Sequence, residues 1–199
     1  MATGRYRADL TAGSLKLPET RVIAGLLLDG ATPEQLRDAL ITRNVLKSRN
    51  PATSRRIGAL ILQRLRPWDA GLWRMIRDGS SVLATQATLA AAIKHSALLA
   101  DFLDLVVREQ YRVFASALNK KQWESFIEDC RGRDAVMAHW NESTITRLRS
   151  TVFQILAQAG YLESSRSLKL QKVILDARLV EYLKSRNEAH VLRCMQVHP

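Results

Sequence analysis

Two pairs of guanidinium groups are the side chains of this 199-residue chain best equipped to do chemistry: Arg55 with Arg56, and Arg147 with Arg149. A guanidinium forks onto two oxygens of a phosphate, or onto the O6 and N7 atoms of guanine. Hydroxyl groups suit the same partners. Thr53 precedes the first pair, and Thr144 and Ser150 flank the second. Arg43, Lys47 and Arg49 lie just before the first pair, while Lys169 and Lys172 follow the second. Together these residues are the candidate contacts to a polyanion, double-stranded DNA first among them.

Their surroundings strengthen that reading. The stretch from Arg37 to Arg77 holds ten basic residues (Arg37, Arg43, Lys47, Arg49, Arg55, Arg56, Arg64, Arg66, Arg74, Arg77) against Asp38 and Asp69, a net of +8. Ser143 to Leu175 holds five (Arg147, Arg149, Arg166, Lys169, Lys172) against Glu163, a net of +4. Between them, Asp101 to Glu142 carries more acids than bases. Cations without local acids must be solvated or meet a polyanion. The formal net charge of +11 makes nucleic acid the leading partner, with an anionic membrane surface as the competitor.

Other chemistries lack residues. There is no phosphate-cradling glycine loop, nucleophile elbow or zinc-type cysteine pair, so no catalytic residue, metal or cofactor is assigned and no enzyme is expected. His190, Cys194 and His198 fall at i, i+4 and i+8 and could share a helix face, but a frayed tail explains them as well. Asp101 and Asp104 suit a solvated helix face better than an acid/base pair, with no His or Lys placed to work with them. Cys130 and Cys194, two distant thiols, fit a reducing cytoplasm. The start lacks a signal-peptide core, and Val22 to Leu28 falls far short of the ~20 apolar residues of a spanning helix. A soluble, cytoplasmic protein is the expectation.

The elements that must position these side chains are helices. Pro18-Glu19-Thr20 opens the first, which Asp29-Gly30 stops. Thr32-Pro33-Glu34-Gln35 opens a second with the makings of a capping box, running to about Arg43. Asn50-Pro51 opens a third, with Ile57, Leu60, Ile61 and Leu65 inward and Arg55 and Arg56 outward. A fourth carries Trp68, Leu72, Trp73 and Ile76. Val82 to Lys94 and Leu98 to Leu118 follow, the latter with Phe102, Leu105, Val106, Val113 and Phe114 as its stripe. Arg131 to Asp134 reads as a turn and Ala135 to Trp140 as a short helix. Asn141 and the apolar stripe Ile145, Leu148, Val152, Ile155 and Leu156 define the next helix, Leu168 to Ile174 a small hairpin or wing, and Arg178 to Ser185 a last helix. Trp68, Trp73, Trp123 and Trp140 sit among apolar neighbours and read as core.

The predicted fold is mainly α. Two helix-turn-helix, winged-helix-like units are joined by a helical connector, with a small β-wing near the C-terminus. The boundaries are 1–79 for the N-terminal unit, 80–118 for the connector and 119–199 for the C-terminal unit.

The run Leu17-Pro18-Glu19-Thr20-Arg21-Val22-Ile23-Ala24, then Arg43-Asn44-Val45-Leu46, then Thr53-Ser54-Arg55-Arg56-Ile57 and Gln63-Arg64-Leu65, resembles the BrxA family. The helix from Ser143-Thr144 to Ala159-Gly160-Tyr161-Leu162 fits it too. The resemblance implies a small, non-enzymatic helical component of BREX bacteriophage-defence systems that binds double-stranded DNA; binding mainly through phosphates would give weak sequence preference. It implies other BREX components as partners, a methyltransferase included, and is compatible with a homo-oligomer. Members have been labelled inner-membrane proteins, against which the missing spanning segment speaks. A suggested likeness to a helical RNA-binding antitermination factor makes RNA the alternative partner. An assembly adaptor that docks proteins through apolar helix faces is a third reading.

Overall fold

Where the sequence supplies a cap, a helix begins. In the computed structural model, which describes residues 4–197, Pro18 sits in the first turn of α1 (Leu17–Leu28), where its missing N–H costs little. Gly30, at φ 71°, lets the chain turn out. Thr32 caps α2 (Pro33–Ile41): its hydroxyl accepts from the Gln35 N–H at 3.3 Å, and Gln35 Oε1 accepts from the Thr32 N–H at 2.8 Å. This is the predicted box, though the helix ends at Ile41 and not near Arg43. Asn50 caps α3 (Pro51–Leu65), Asp69 caps α4 (Ala70–Asp78) and Ser80 caps α5 (Ser81–His95).

The middle departs from prediction. In place of one helix from Leu98 to Leu118 stand α6 (Ala97–Asp101), a π-helical stretch Phe102–Val107 and α7 (Arg108–Arg112). A π turn closes on i+5 and rotates the faces beyond it. The expected stripe is therefore broken. Phe102 is fully buried, Leu105 is 48% exposed, and Phe114, beyond the helix end, is 87% exposed.

Asn119 and Gln122 form a second capping box on α8 (Lys120–Arg133), which absorbs the predicted turn at Arg131. A 3-10 turn, Ala135–His139, leads to α9 (Glu142–Gln158), capped by Asn141. Gly160, at φ 83°, ends that segment. The chain closes with α10 (Ala177–Ser185) and α11 (Ala189–Met195). The last was expected to be frayed, but it buries Val191, Leu192, Cys194 and Met195.

The predicted β-wing does not form as a strand pair among the described residues. Segment 169–171, entered through Leu168 at φ 53°, instead lies between two others. The Leu118 N–H bonds Leu168 O and the Leu170 N–H bonds Ser116 O on one side. The Glu163 N–H bonds Lys169 O and the Gln171 N–H bonds Tyr161 O on the other. Each side makes one isolated bridge, Ala117–Lys169 and Leu162–Leu170. A wing needs a ladder to one partner; this strap divides its few bonds between two.

A continuous apolar core runs from Tyr6 to Val197. It passes through the segment read as a connector, where Ala87, Leu89, Ala90 and Ala92 of α5 are fully buried. Phe102 meets Trp123 and Phe126 edge-on at 5.2 Å, and Phe153 closes the cluster. Trp68 and Trp123 are buried, and Trp73 and Trp140 are half-buried against this core.

Asp101, expected on a solvated face, is buried. It accepts two bonds from Arg5, at 2.7 and 3.0 Å, and one from the Tyr6 hydroxyl at 2.7 Å. Asp134 accepts from the Tyr6 N–H, so two buried carboxylates pin the N-terminal segment across the C-terminal half. Asp104 accepts from Arg108 and Arg193.

Candidate nucleic-acid interface

The first basic region is built on the joint between α2 and α3. Asn44 donates to Ser48 O and accepts from the Ser48 N–H, both at 2.9 Å. This closes the loop and leaves Lys47 and Arg49 exposed. Two contacts hold α3 on α2. The Ser54 hydroxyl donates to Leu40 O at 2.6 Å, and Gly58 leaves room for Leu40, whose Cδ1 would lie 2.6 Å from a Cβ there. With that face fixed inward, Arg55 and Arg56 face solvent and Thr53 is half-buried at the helix start, its N–H on Asn50 Oδ1.

Charge pairing thins this region only slightly. Arg43 is bound to Asp38 at 2.8 Å, and Arg77 to Asp78 at 2.7 Å. Arg64 turns inward, 2% exposed, donating to Ser14 O and Gly13 O. Burial pushes its pKa down to about 10, so it stays cationic at neutral pH and serves the fold. Arg37, Lys47, Arg49, Arg55, Arg56, Arg66 and Arg74 are exposed with no carboxylate among the described residues within 4.0 Å.

The second region is more nearly neutralised. Arg147 and Ser150 are exposed on α9, Ser150 bonding back to Thr146 O at 3.0 Å. Thr144 is half-buried beside the cap. Arg149, however, reaches Glu124 of α8 at 3.6 Å and its side chain is only 22% exposed. Lys169 pairs with Glu163 at 3.7 Å, whereas Lys172 and Arg166 are exposed without a carboxylate partner among the described residues. Glu142 turns to Arg131 at 3.9 Å.

Sequence reasoning did not single out Arg37, Arg66 or Arg74, although the same shortage of acids applies to them. It also passed over Lys120 and Lys121, exposed in the first turn of α8 without carboxylate partners among the described residues. They lie in the stretch with more acids than bases, but Asp101, Asp104 and Asp134 there are engaged by Arg5, Tyr6, Arg108 and Arg193. A net count over sequence hides that engagement.

His190 Nε2 lies 3.8 Å from Cys194 Sγ; His198 falls outside the described residues. Burial pushes the Cys194 thiol up to about 12, away from the thiolate a metal would need. Among the described residues no cluster of three or more metal-binding side chains occurs, and no helix is long and apolar enough to cross a membrane.

Comparison with known proteins agrees with the sequence resemblance. The model of the family described as BrxA matches residues 4–187. A protein named BREX protein BrxA from Paramagnetospirillum magneticum (strain ATCC 700264 / AMB-1) is 48% identical over 197 residues, 99% of each chain. Its namesake from Escherichia coli O9:H4 (strain HS) is 32% identical over 84% of this chain and 78% of its own. A crystal structure of an uncharacterized protein from Magnetospirillum magneticum superposes with a TM-score of 0.90 at 47% identity, covering 97% of this chain and 99% of that one.

Proposed function

The chain belongs to the BrxA family, and from that premise we propose that it is a non-enzymatic, cytoplasmic accessory protein of BREX phage defence that binds double-stranded DNA. The observation that carries the reading is the set of seven exposed cations from Arg37 to Arg74 with no carboxylate of the described residues within 4.0 Å. Such groups lower their energy by displacing condensed counterions from phosphates. Arg55, Arg56, Lys47 and Arg49 lead, with Arg43 and Thr53 beside them. Arg147, Arg149, Thr144, Ser150, Lys169 and Lys172 form the second contact. The strap at Lys169 takes the role expected of a wing, and the two helix-turn-helix units present α3 and α9 to the duplex. Phosphate contacts position without specifying, so sequence preference is weak. Other BREX components are the protein partners.

Titration of labelled duplex at two ionic strengths tests this. Neutralising about six phosphates should cost roughly a thousandfold in affinity between 50 and 200 mM salt. Absence of duplex binding, or binding indifferent to salt, would refute it. The lack of a strand ladder among the described residues also supports a second reading, an all-helical RNA-binding protein of the antitermination type. Duplex RNA and single strands in the same titration decide: tighter binding to RNA than to duplex DNA selects the second.

A further inference from the structure

The α2–α3 pair carries a feature that phosphate binding does not use. A groove of about 420 Å³ opens between the two helices, floored by Leu36, Leu40, Ile41 and Leu62. Arg37 of α2, Arg55 of α3 and Arg66, which caps the end of α3, stand on its rim, and none has a carboxylate among the described residues within 4.0 Å. Along α3 and its helical C-cap the lining residues Arg55, Ala59, Leu62 and Arg66 recur at i, i+4, i+7 and i+11, one straight stripe. At 1.5 Å per residue, Arg55 and Arg66 mark ends about 16 Å apart, the length of three helical turns.

We propose that this groove is a docking site for an acidic amphipathic helix of a partner protein. Its apolar residues would fill the floor and its flanking carboxylates would pair with the three guanidinium groups. Charge complementarity selects this occupant. Phosphates gain nothing from an apolar floor, and the apolar contact that a duplex offers in its major groove is the thymine methyl. A second copy of the chain is disfavoured: its exposed apolar knob, Val113 and Phe114, follows Arg112, and it would bring a net charge of +11 to a cationic rim. Helix-in-groove recognition with apolar anchors at i, i+3 or i+4, and i+7 fits the stripe and its length. The proposal does not rest on the DNA reading, since it needs the groove and its apolar floor; the rim cations Arg37, Arg55 and Arg66 are shared with that reading and the floor is not.

Three synthetic 18-residue helical peptides test it by fluorescence anisotropy against the full chain. One carries leucine anchors with glutamate flanks, one leucine anchors with lysine flanks, and one serine at the anchor positions with glutamate flanks. The first should bind, with a loss of at least tenfold in each of the others. Ala59→Phe fills the groove from the exposed side of α3 without altering charge, and should cost at least tenfold in binding of the first peptide with the thermal midpoint retained. Should Ala59→Phe melt early, Arg37→Gln with Arg66→Gln replaces it, with the same loss expected. Equal binding of the serine peptide would mean mere attraction of an anion to a basic surface and would overturn the proposal. So would no binding of the leucine–glutamate peptide, or unaltered binding by a folded groove variant. Duplex affinity, measured separately, can fail while peptide capture stands, so the two readings are told apart.

Discussion

The two basic regions differ in how many cations they hold, ten against five, and in the share already answered by a carboxylate, two of ten against two of five. Between Arg37 and Arg77, three of ten are engaged: Arg43 by Asp38, Arg77 by Asp78, and Arg64 by backbone carbonyls in the interior. On and after α9, Arg149 and Lys169 are two of five and are answered by Glu124 and Glu163. Exposed ion pairs are individually weak, about 0–1 kcal/mol, but they place a carboxylate where a phosphate would come. The lesson is that a basic stretch is available to a polyanion only to the extent that no acid from elsewhere in the fold reaches it.

The largest expected effect follows directly. Arg55→Glu with Arg56→Glu should lower duplex affinity at least a hundredfold in a mobility-shift titration, since two phosphate contacts are lost and two repulsions gained. Arg147→Ala with Arg149→Ala should cost only about tenfold, as one of the two is already paired. A larger loss from the second pair would break the comparison.

Glu124→Gln sharpens it. Freeing Arg149 should raise duplex affinity by about two- to fivefold at low salt, by one more cation released to phosphate. No gain would show that the pair with Glu124 does not limit the second region.

Gly58→Ala probes how the first region is held. The new Cβ would press on the Leu40 side chain, so Leu40 must leave its place or α3 must shift from α2, at a cost of about 1–2 kcal/mol in chemical denaturation. A neutral or stabilising result would mean that Leu40 simply repacks and the joint is looser than described.

A smaller effect concerns pH. Burial opposes the charge on Asp69, but hydrogen bonds from the Tyr182 hydroxyl and the Gly71 N–H, with Arg186 nearby, outweigh it and hold the carboxyl below its usual 3.8. A depressed pKa means that the folded state binds the proton less readily than the unfolded one. The stabilisation is complete above 3.8 and is lost as pH falls through the folded value. Asp69 ties α4 to α10, so Asp69→Asn should flatten that part of the acid-unfolding profile; an unaltered profile would show that the tie is not ionic.

Local rules carried much of this fold. The capping box at Thr32 and Gln35, the Asn-Pro start of α3 and the stripe from Ile145 to Leu156 were legible because each depends on residues three or four apart. What depends on distant partners was not. The π-helical stretch Phe102–Val107 has no sequence signature in a run that keeps helical apolar spacing, and it displaced the predicted inner face. Leu168–Lys172 alternates as a wing strand should, yet finds two partners and builds a ladder with neither. Candidate contacts split the same way. Arg55 and Arg56 stay free because their neighbourhood lacks acids, which sequence shows, whereas Arg149 is met by Glu124 from another helix, which sequence hides.

The central claim is that cations of the α2–α3 region meet the phosphates of a duplex. The most direct measurement is the slope of log affinity against log salt for the unmodified chain and for Arg55→Ala with Arg56→Ala, since each phosphate contact contributes about 0.9 to that slope. The account predicts a slope near −5 that shrinks by about 2 in the variant. An unaltered slope, or none to begin with, would contradict it.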